Sequence, residues 1–524
     1  MLSLRLHLWD LCSPHWIWSG DRWTNGNSWL RPVPTPALDA QLIYDHNSRV
    51  GLVVWERTSV RCATRPVDHE PAMVADVGAV VARAHASTGE YLTVLLEPGG
   101  VRLAAGPFGT APLYLVRRGD VLHGSWHLPD LRTFIHPDEL LDRAVARRLT
   151  RQARYSADTI FPSVQRLTER ATATFTHSDL VLTYPPAAEH VLQPRQLRPG
   201  VNVVGAFDEL LTQIIAGTPA ARGPVGIELS GGADSANVAL TLAARHNGAV
   251  TSFGLVLDGP IGDAQQRRRQ DMISRFGLRD TTVRASDHPP FAPSGVRGLM
   301  VPHDPTSAYY REAFDALRDA IAIAGTPVIC TGLGGDEVCA RHPEEYTAGP
   351  APVELPPWLG PTTCAALANV DVNLAPVAAI TLPTLMALGT HNPTYLAAGI
   401  WPVSPLAHPA LVRFGEQLPL EWRIGKRLLR ERLRRAGLAA ETADPPQPET
   451  FTELMQLGLR RYGLPLLKDM TRESLLVDLG HLDPGALVCA YETAVSAARI
   501  PSMLCDAISL EVGLRSLNQA ECRP

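Results

Sequence analysis

The sequence predicts an α/β protein in two parts, and three observations carry that prediction. Apolar runs paired across turn residues fill the first third of the chain. From about residue 201, short apolar runs alternate with helical patterns. Beyond 345 the pattern is mainly helical. At 524 residues the chain has room for two or three domains. With 45% hydrophobic and 19% charged residues it has the ordinary composition of a globular protein with sizeable cores.

In the first part, "QLIYDHNSRVGLVVWER" reads as two strands around a polar turn. "YLTVLLEPGGVRLAAG" repeats the pattern around Pro98-Gly99-Gly100, and "APLYLVRRGDVLHGSW" supplies a third hairpin. "DELLDRAVARRLTRQA" carries apolar residues at helical spacing, and the Pro-rich stretch around 185–200 reads as a linker. The expected domains are therefore 1–195 and 201–524. In the second part "VNVVGAFDELLTQIIAG" is an amphipathic helix. Then "VGIEL", "TSFGLVL", "TTVRA" and "PVICTGL" are strands separated by helical runs, which implies a parallel sheet wrapped by helices. Pro-rich breaks fall at 349–361 and 443–448; such breaks read as solvated loops, and the first is long enough to act as a lid.

The net charge of −5, without a basic stripe or block, argues against nucleic acid as the main partner. No apolar run reaches the roughly 18 residues that span a bilayer. The opening "MLSLRLHLWD" is too short in its apolar run for a signal peptide, so a cytoplasmic location is expected. Eight scattered cysteines with no C-x-x-C pair favour neither zinc nor a disulfide framework. Only two lysines, Lys426 and Lys468, stand among 48 basic residues, so each raises a question.

Two glycine-rich loops carry the chemistry. Ser230-Gly231-Gly232-Ala233-Asp234-Ser235 lies between a strand and a helix, where open α/β sheets bind ligands. The glycines let backbone N–H groups turn inward, the helix N-terminus adds positive charge, and Ser230 and Ser235 supply hydroxyls, so the loop suits phosphate. Asp234 would repel phosphate unless a cation intervened, which suggests Mg²⁺. The blander role for Asp234 or Ser235 is a helix cap. The second loop, "TGLGGDE" at 331–337, follows the strand "PVI" and opens on the same sheet edge, so Asp336 could meet Asp234 across a shared Mg²⁺. Asp263 and Glu337 could support ribose or Mg²⁺, or equally serve as a cap or an ion pair.

Together with "WPVSPLAHPALVRFGEQLPLEWRIGKRLLRERL", these loops resemble the PP-loop enzymes of the asparagine synthetase superfamily. "GPFGTAPLY", "GSWHLPDL" and "TIFPSVQRL" resemble its amino-terminal glutaminase-like domain. The resemblance implies an Ntn-type αββα domain followed by a PP-loop ATP pyrophosphatase-like domain with a helical carboxyl-terminal part. It implies ATP and Mg²⁺ as cofactors, a loop that holds the departing pyrophosphate, and an acyl-adenylate taken by an amine. By the same resemblance Leu229, Leu255, Thr331 and Gly332 fall at adenine-contacting positions, largely through backbone; Leu229 and Leu255 suit a core equally well. Lys426, within an amphipathic basic helix whose arginines read mostly as a solvated face, is expected to stabilise phosphate charge. Lys468 reads as a surface residue.

Two departures refine the resemblance. The family's glutaminase nucleophile is a cysteine at position 2, where this chain has Leu2, its first cysteine being Cys12. The amino-terminal domain therefore reads as a glutaminase relic. Leu333 stands where asparagine synthetases carry glutamate and β-lactam synthetases tyrosine, and leucine cannot move a proton. An α-amine of pKa about 7.7–8.0 needs less help than a weaker nucleophile. These features resemble the lasso-peptide cyclases, or macrolactam synthetases, which adenylate an Asp or Glu side chain of a precursor peptide and close a ring with its N-terminal amine. Such enzymes work beside a leader peptidase and a leader-binding protein. A β-lactam or other small-amide synthetase, a nucleotide-modifying PP-loop enzyme and a non-catalytic scaffold are the competing readings.

Overall fold

The computed structural model describes residues 1–12, 15–57, 70–346, 354–447 and 449–518. Between Leu2 and Thr183 two seven-stranded sheets stack face to face. The three hairpins read from the sequence form as Leu38–Tyr44 with Val50–Glu56, Tyr91–Glu97 with Gly100–Ala105, and Leu113–Arg118 with Val121–Ser125. Strict alternation then sorts their side chains by face. Leu113 and Leu115 join Leu52, Val54, Leu92 and Val94 in the core between the sheets. Tyr114 and Val116 point the other way, onto Leu128, Leu131 and the carboxyl-terminal helix Leu504–Asn518. On the far side Ile43 and Val53 lie beneath the helix Val77–His85. Helices thus cover both outer faces, in an αββα arrangement.

The helix expected over "DELLDRAVARRLTRQA" is shorter, spanning Asp142–Leu149. The Leu141 amide bonds instead to the Ile160 carbonyl at 2.9 Å, and Arg151, at φ 53°, turns the chain out of helical geometry.

The second part is built on a parallel sheet of five strands: Arg279–Arg284, Thr251–Val256, Val225–Glu228, Val328–Cys330 and Trp401–Val403, in that spatial order. The first four were expected. Trp401–Val403 was not, because three residues containing a proline leave no strand pattern; Pro402 is tolerated there because the strand forms the sheet's edge. The order reverses between Val225–Glu228 and Val328–Cys330, which makes their carboxyl ends a topological switch point.

The two parts meet in a close seam. The Trp401 ring is fully buried and its Nε1–H donates to Glu56 Oε1 at 2.7 Å. Glu56 Oε2 in turn accepts from the Glu90 amide at 3.0 Å, and Glu90 Oε2 accepts from the Thr110 amide and hydroxyl, each at 3.0 Å. Of the stretch 349–361, residues 349–353 lie outside the described residues. The part that follows is anchored: the Gly360 amide bonds to the His481 carbonyl at 2.8 Å, and the Trp358 carbonyl accepts from the Asp483 amide at 3.0 Å.

Burial, reinforced by the neighbouring Glu56 charge, pushes the Glu90 carboxyl up to about 7. A carboxyl raised in the folded state binds its proton more tightly there than in the unfolded chain. Stability is therefore lost as pH rises from the ordinary glutamate range towards 7. Glu90→Gln, which keeps an acceptor for Thr110, should stabilise the protein at pH 8 by on the order of 2 kcal/mol and much less at pH 5. Thermal unfolding of the two proteins at both pH values checks this.

Candidate active site

The loop Ser230–Ser235 leaves the central strand and enters the helix Ala233–Arg245. Its turn is set by Gly231, at φ 96°, and closed by hydroxyls: Ser235 Oγ accepts from the Ser230 amide at 3.2 Å, and Ser230 Oγ accepts from the Gly232 amide at 3.2 Å. Three consecutive carbonyls of this stretch are tied back by one helix, Gly259–Phe276. Arg269 donates to the Leu229 carbonyl. Gln265 Nε2 reaches the Ser230 carbonyl at 2.9 Å and the Leu255 carbonyl at 3.0 Å. Arg268 Nε reaches the Gly231 carbonyl at 3.2 Å. With their acceptors satisfied from below, the peptide units around the turn cannot flip without breaking a buried bond. Sequence reasoning missed all three side chains; the run "QQRRRQ" gives no sign that Gln265, Arg268 and Arg269 face inward.

The second loop lies directly against the first. A Cβ on Gly332 would sit 2.7 Å from the Ser235 amide nitrogen, and one on Gly335 only 2.2 Å from the Asp234 carboxyl carbon. Gly334, at φ 99°, fits beneath the Ala407 amide, which a Cβ would meet at 2.1 Å. Thr331 is fixed by its amide to the Val403 carbonyl at 2.9 Å and by its hydroxyl to Ser404 Oγ at 2.8 Å. Leu333 is half-buried, and its amide donates to Thr331 Oγ1 at 3.3 Å.

Lys426 joins the two loops. Its Nζ lies 2.7 Å from Asp234 Oδ2 and 2.7 Å from Asp336 Oδ1. The expected continuous helix around it is broken: Leu420–Arg423 ends, Gly425 (φ 59°) and Lys426 (φ 56°) are both left-handed, and Arg427–Arg435 begins anew. The expected solvated face is also wrong for two arginines. Arg423 is buried against Glu345 and the Ala340 carbonyl, and Arg432 against Asp208 and Thr241. Burial pulls the Lys426 ammonium down, but the two aspartates outweigh it and hold the lysine above its ordinary value. Burial also raises the Asp234 carboxyl, against the pull of Lys426.

Asp234 Oδ1 is buried and has no hydrogen-bond partner among the described residues, while Asp336 is exposed. Two convergent carboxylates, one with an unpaired buried oxygen, fit a hard divalent cation that takes its remaining ligands from phosphate and water. No group of three metal-ligating side chains occurs among the described residues, so the protein alone does not complete such a site. Glu337 is buried, accepts from Thr381 Oγ1 at 2.5 Å and leaves Oε2 unpartnered; Asp263 is exposed. Lys468 is exposed, as expected.

Leu229 and Leu255 are both core residues, and the strand register puts them on opposite faces of the sheet. Glu228 pairs with Phe253, which places Leu229 on the face away from Leu255. The backbone amide of Leu229 is used by the Phe253 carbonyl at 2.8 Å. Thr331 and Gly332, by contrast, lie at the junction of the two loops.

Residues 206–497 match the family described as asparagine synthase, which is more than half of the chain. The chain belongs to the asparagine synthase family. At that level it is an ATP-dependent amide-forming synthetase, of a family that uses ATP, generally with Mg²⁺. No curated protein matches the chain. Among solved structures, that of the allosteric regulatory enzyme of purine biosynthesis matches 52% of this chain and 69% of its own, at 10% identity and a TM-score of 0.19. No described helix of this asparagine synthase family member is long and apolar enough to cross a membrane.

The contact between the loops gives a direct test. Gly332→Ala should push the two loops apart while the sheet and its core stay folded, because the clash falls on the backbone at the start of the helix Ala233–Arg245 rather than inside the core. MgATP affinity, measured by isothermal titration calorimetry, should fall at least about tenfold, while thermal stability changes by roughly 1 kcal/mol.

Proposed function

We propose that this synthetase is a macrolactam-forming peptide cyclase of the lasso type, acting on a precursor peptide beside a leader peptidase and a leader-binding protein. The observation that supports the adenylation half is the Lys426 ammonium held between Asp234 and Asp336 at the mouth of a glycine loop. Asp234 and Asp336 would hold Mg²⁺, which would neutralise polyphosphate charge, and Ser230, Gly231, Gly232 and Ser235 would receive the β,γ-diphosphate. A side-chain carboxylate of the peptide attacks the α-phosphorus; the new O–P bond replaces the bond to pyrophosphate. Lys426, fully protonated at neutral pH, stabilises the charge that develops on the leaving oxygens. Thr331 and Gly332 face the nucleotide at the loop junction through their backbone, while Leu229 and Leu255 lie near the ends of their strands, on opposite faces of the sheet.

In the second step the peptide's N-terminal amine attacks the acyl carbon, the C–O bond to AMP breaks, and the amine's proton passes to solvent or AMP. Leu333 supports this nucleophile, because a leucine there offers no proton acceptor and an α-amine needs little. A small-amide synthetase is the second reading. It is favoured by a cavity of about 220 Å³ at the seam beside Ser404, lined by Glu56, Thr110 and Asn392, which suits a small amine better than a peptide.

ATP–pyrophosphate exchange with leaderless precursor peptides encoded nearby in the genome separates the two. Peptide-dependent exchange, with loss of one water from the peptide by mass spectrometry and abolition by Asp234→Ala, is the expected result. Exchange with small amino acids alone would replace the cyclase with the small-amide synthetase.

A further inference from the structure

Glu449 reaches the phosphate loop from the segment between the helices Ala440–Ala443 and Thr452–Gly458. Its Oε1 lies 3.2 Å from where a Cβ on Gly231 would be, and its Oε2 lies 3.9 Å from the corresponding point on Gly232. A carboxylate therefore rests on the two glycines that shape an anion site. It is held there by Arg268, whose guanidinium pairs with Glu449 while its Nε bonds to the Gly231 carbonyl at 3.2 Å. Arg268 is only 6% exposed, and among the described residues Glu449 is its sole ion-pair partner.

These charges do not suit a polyphosphate as they stand. Three carboxylates, Asp234, Asp336 and Glu449, face two cations, Lys426 and Arg268, and both bonds of the Lys426 ammonium go to the aspartates. Carboxylate and phosphate oxygens are interchangeable acceptors for a guanidinium fork. A buried guanidinium that loses its carboxylate requires another anion in its place. We propose that Glu449 is an internal stand-in for the pyrophosphate end of ATP, and that Arg268 binds the pyrophosphate once Glu449 is displaced. This rests on the adenylation reading above and adds to it a second phosphate-binding cation and a competing anion.

The competition makes opposite predictions for the two residues. Titration calorimetry with magnesium pyrophosphate on the intact protein reads them without a carboxylate substrate. Glu449→Gln removes the competing charge and should tighten pyrophosphate about tenfold, and Arg268→Met should weaken it by a similar factor. The double variant tests whether Arg268 acts beyond placing Glu449: it should bind about tenfold more weakly than Glu449→Gln alone, and Arg268→Gln, which can still donate to the Gly231 carbonyl, should weaken pyrophosphate as far as Arg268→Met does. Arg268→Lys keeps the charge but not the fork and should fall between wild type and Arg268→Met; thermal melts establish that each variant is folded. Unchanged or weaker binding by Glu449→Gln overturns the proposal, as does a double variant that binds like Glu449→Gln, since Arg268 would then act only by placing Glu449. If wild type binds MgATP while Glu449→Gln leaves pyrophosphate affinity unchanged, only this inference fails. If no folded variant binds MgATP or pyrophosphate, the adenylation reading fails with it.

Discussion

Because Gly332 and Gly335 carry no side chains, the loop after Val328–Cys330 lies against the Ser235 amide and the Asp234 carboxyl, and this contact sets everything else at the site. It brings two carboxylates, from the segments that follow two different strands, within reach of one ammonium. It also places the start of the helix Ala233–Arg245 beside Thr331, which a neighbouring strand fixes through Val403 and Ser404. A methyl group at either glycine would have to displace backbone or a buried carboxylate, and neither has room to move.

That geometry explains why a chain so reliant on arginine keeps a lysine at 426. A guanidinium is a broad planar fork suited to paired oxygens of one partner, whereas an ammonium is a compact charge that can sit between two carboxylates. The left-handed backbone at Lys426 costs roughly 1 kcal/mol for a residue with a Cβ. The ion pair with the three-quarters-buried Asp234 offsets that cost, since the bond to exposed Asp336 is screened by water and contributes little. The break in the helix thus follows from where the ammonium must be.

How much of this was legible in the sequence depended on range. The two glycine loops and Lys426 were legible as one cluster because the glycines stand where the backbone must turn and the acids lie beside them in the sequence. The supports were not. Gln265, Arg268 and Arg269 read as a polar helix face, and only the packing of that helix against the loop turns them inward. Arg423 and Arg432 misled for the same reason, each being buried against acceptors supplied by residues far away in the sequence. Leu229 and Leu255 could not be assigned to faces until the strand register was known. Trp401–Val403 was too short to leave a pattern, yet it fixes Thr331.

The same strand explains why the amino-terminal domain stays whatever its own chemistry. Trp401 reaches across the seam to Glu56, so the strand that positions Thr331 is held from both sides. The outer face of the first sheet shares one core with the carboxyl-terminal helix, through Tyr114, Val116, Leu504 and Leu510. Arg151 adds an ion pair, at 2.7 Å, to the buried Asp506 of that helix. Removing the domain would expose that core and leave the buried Asp506 without Arg148 and Arg151, a loss larger than a marginally stable domain can absorb. The domain therefore acts as one wall of the synthetase, and selection on the synthetase site alone is enough to keep it.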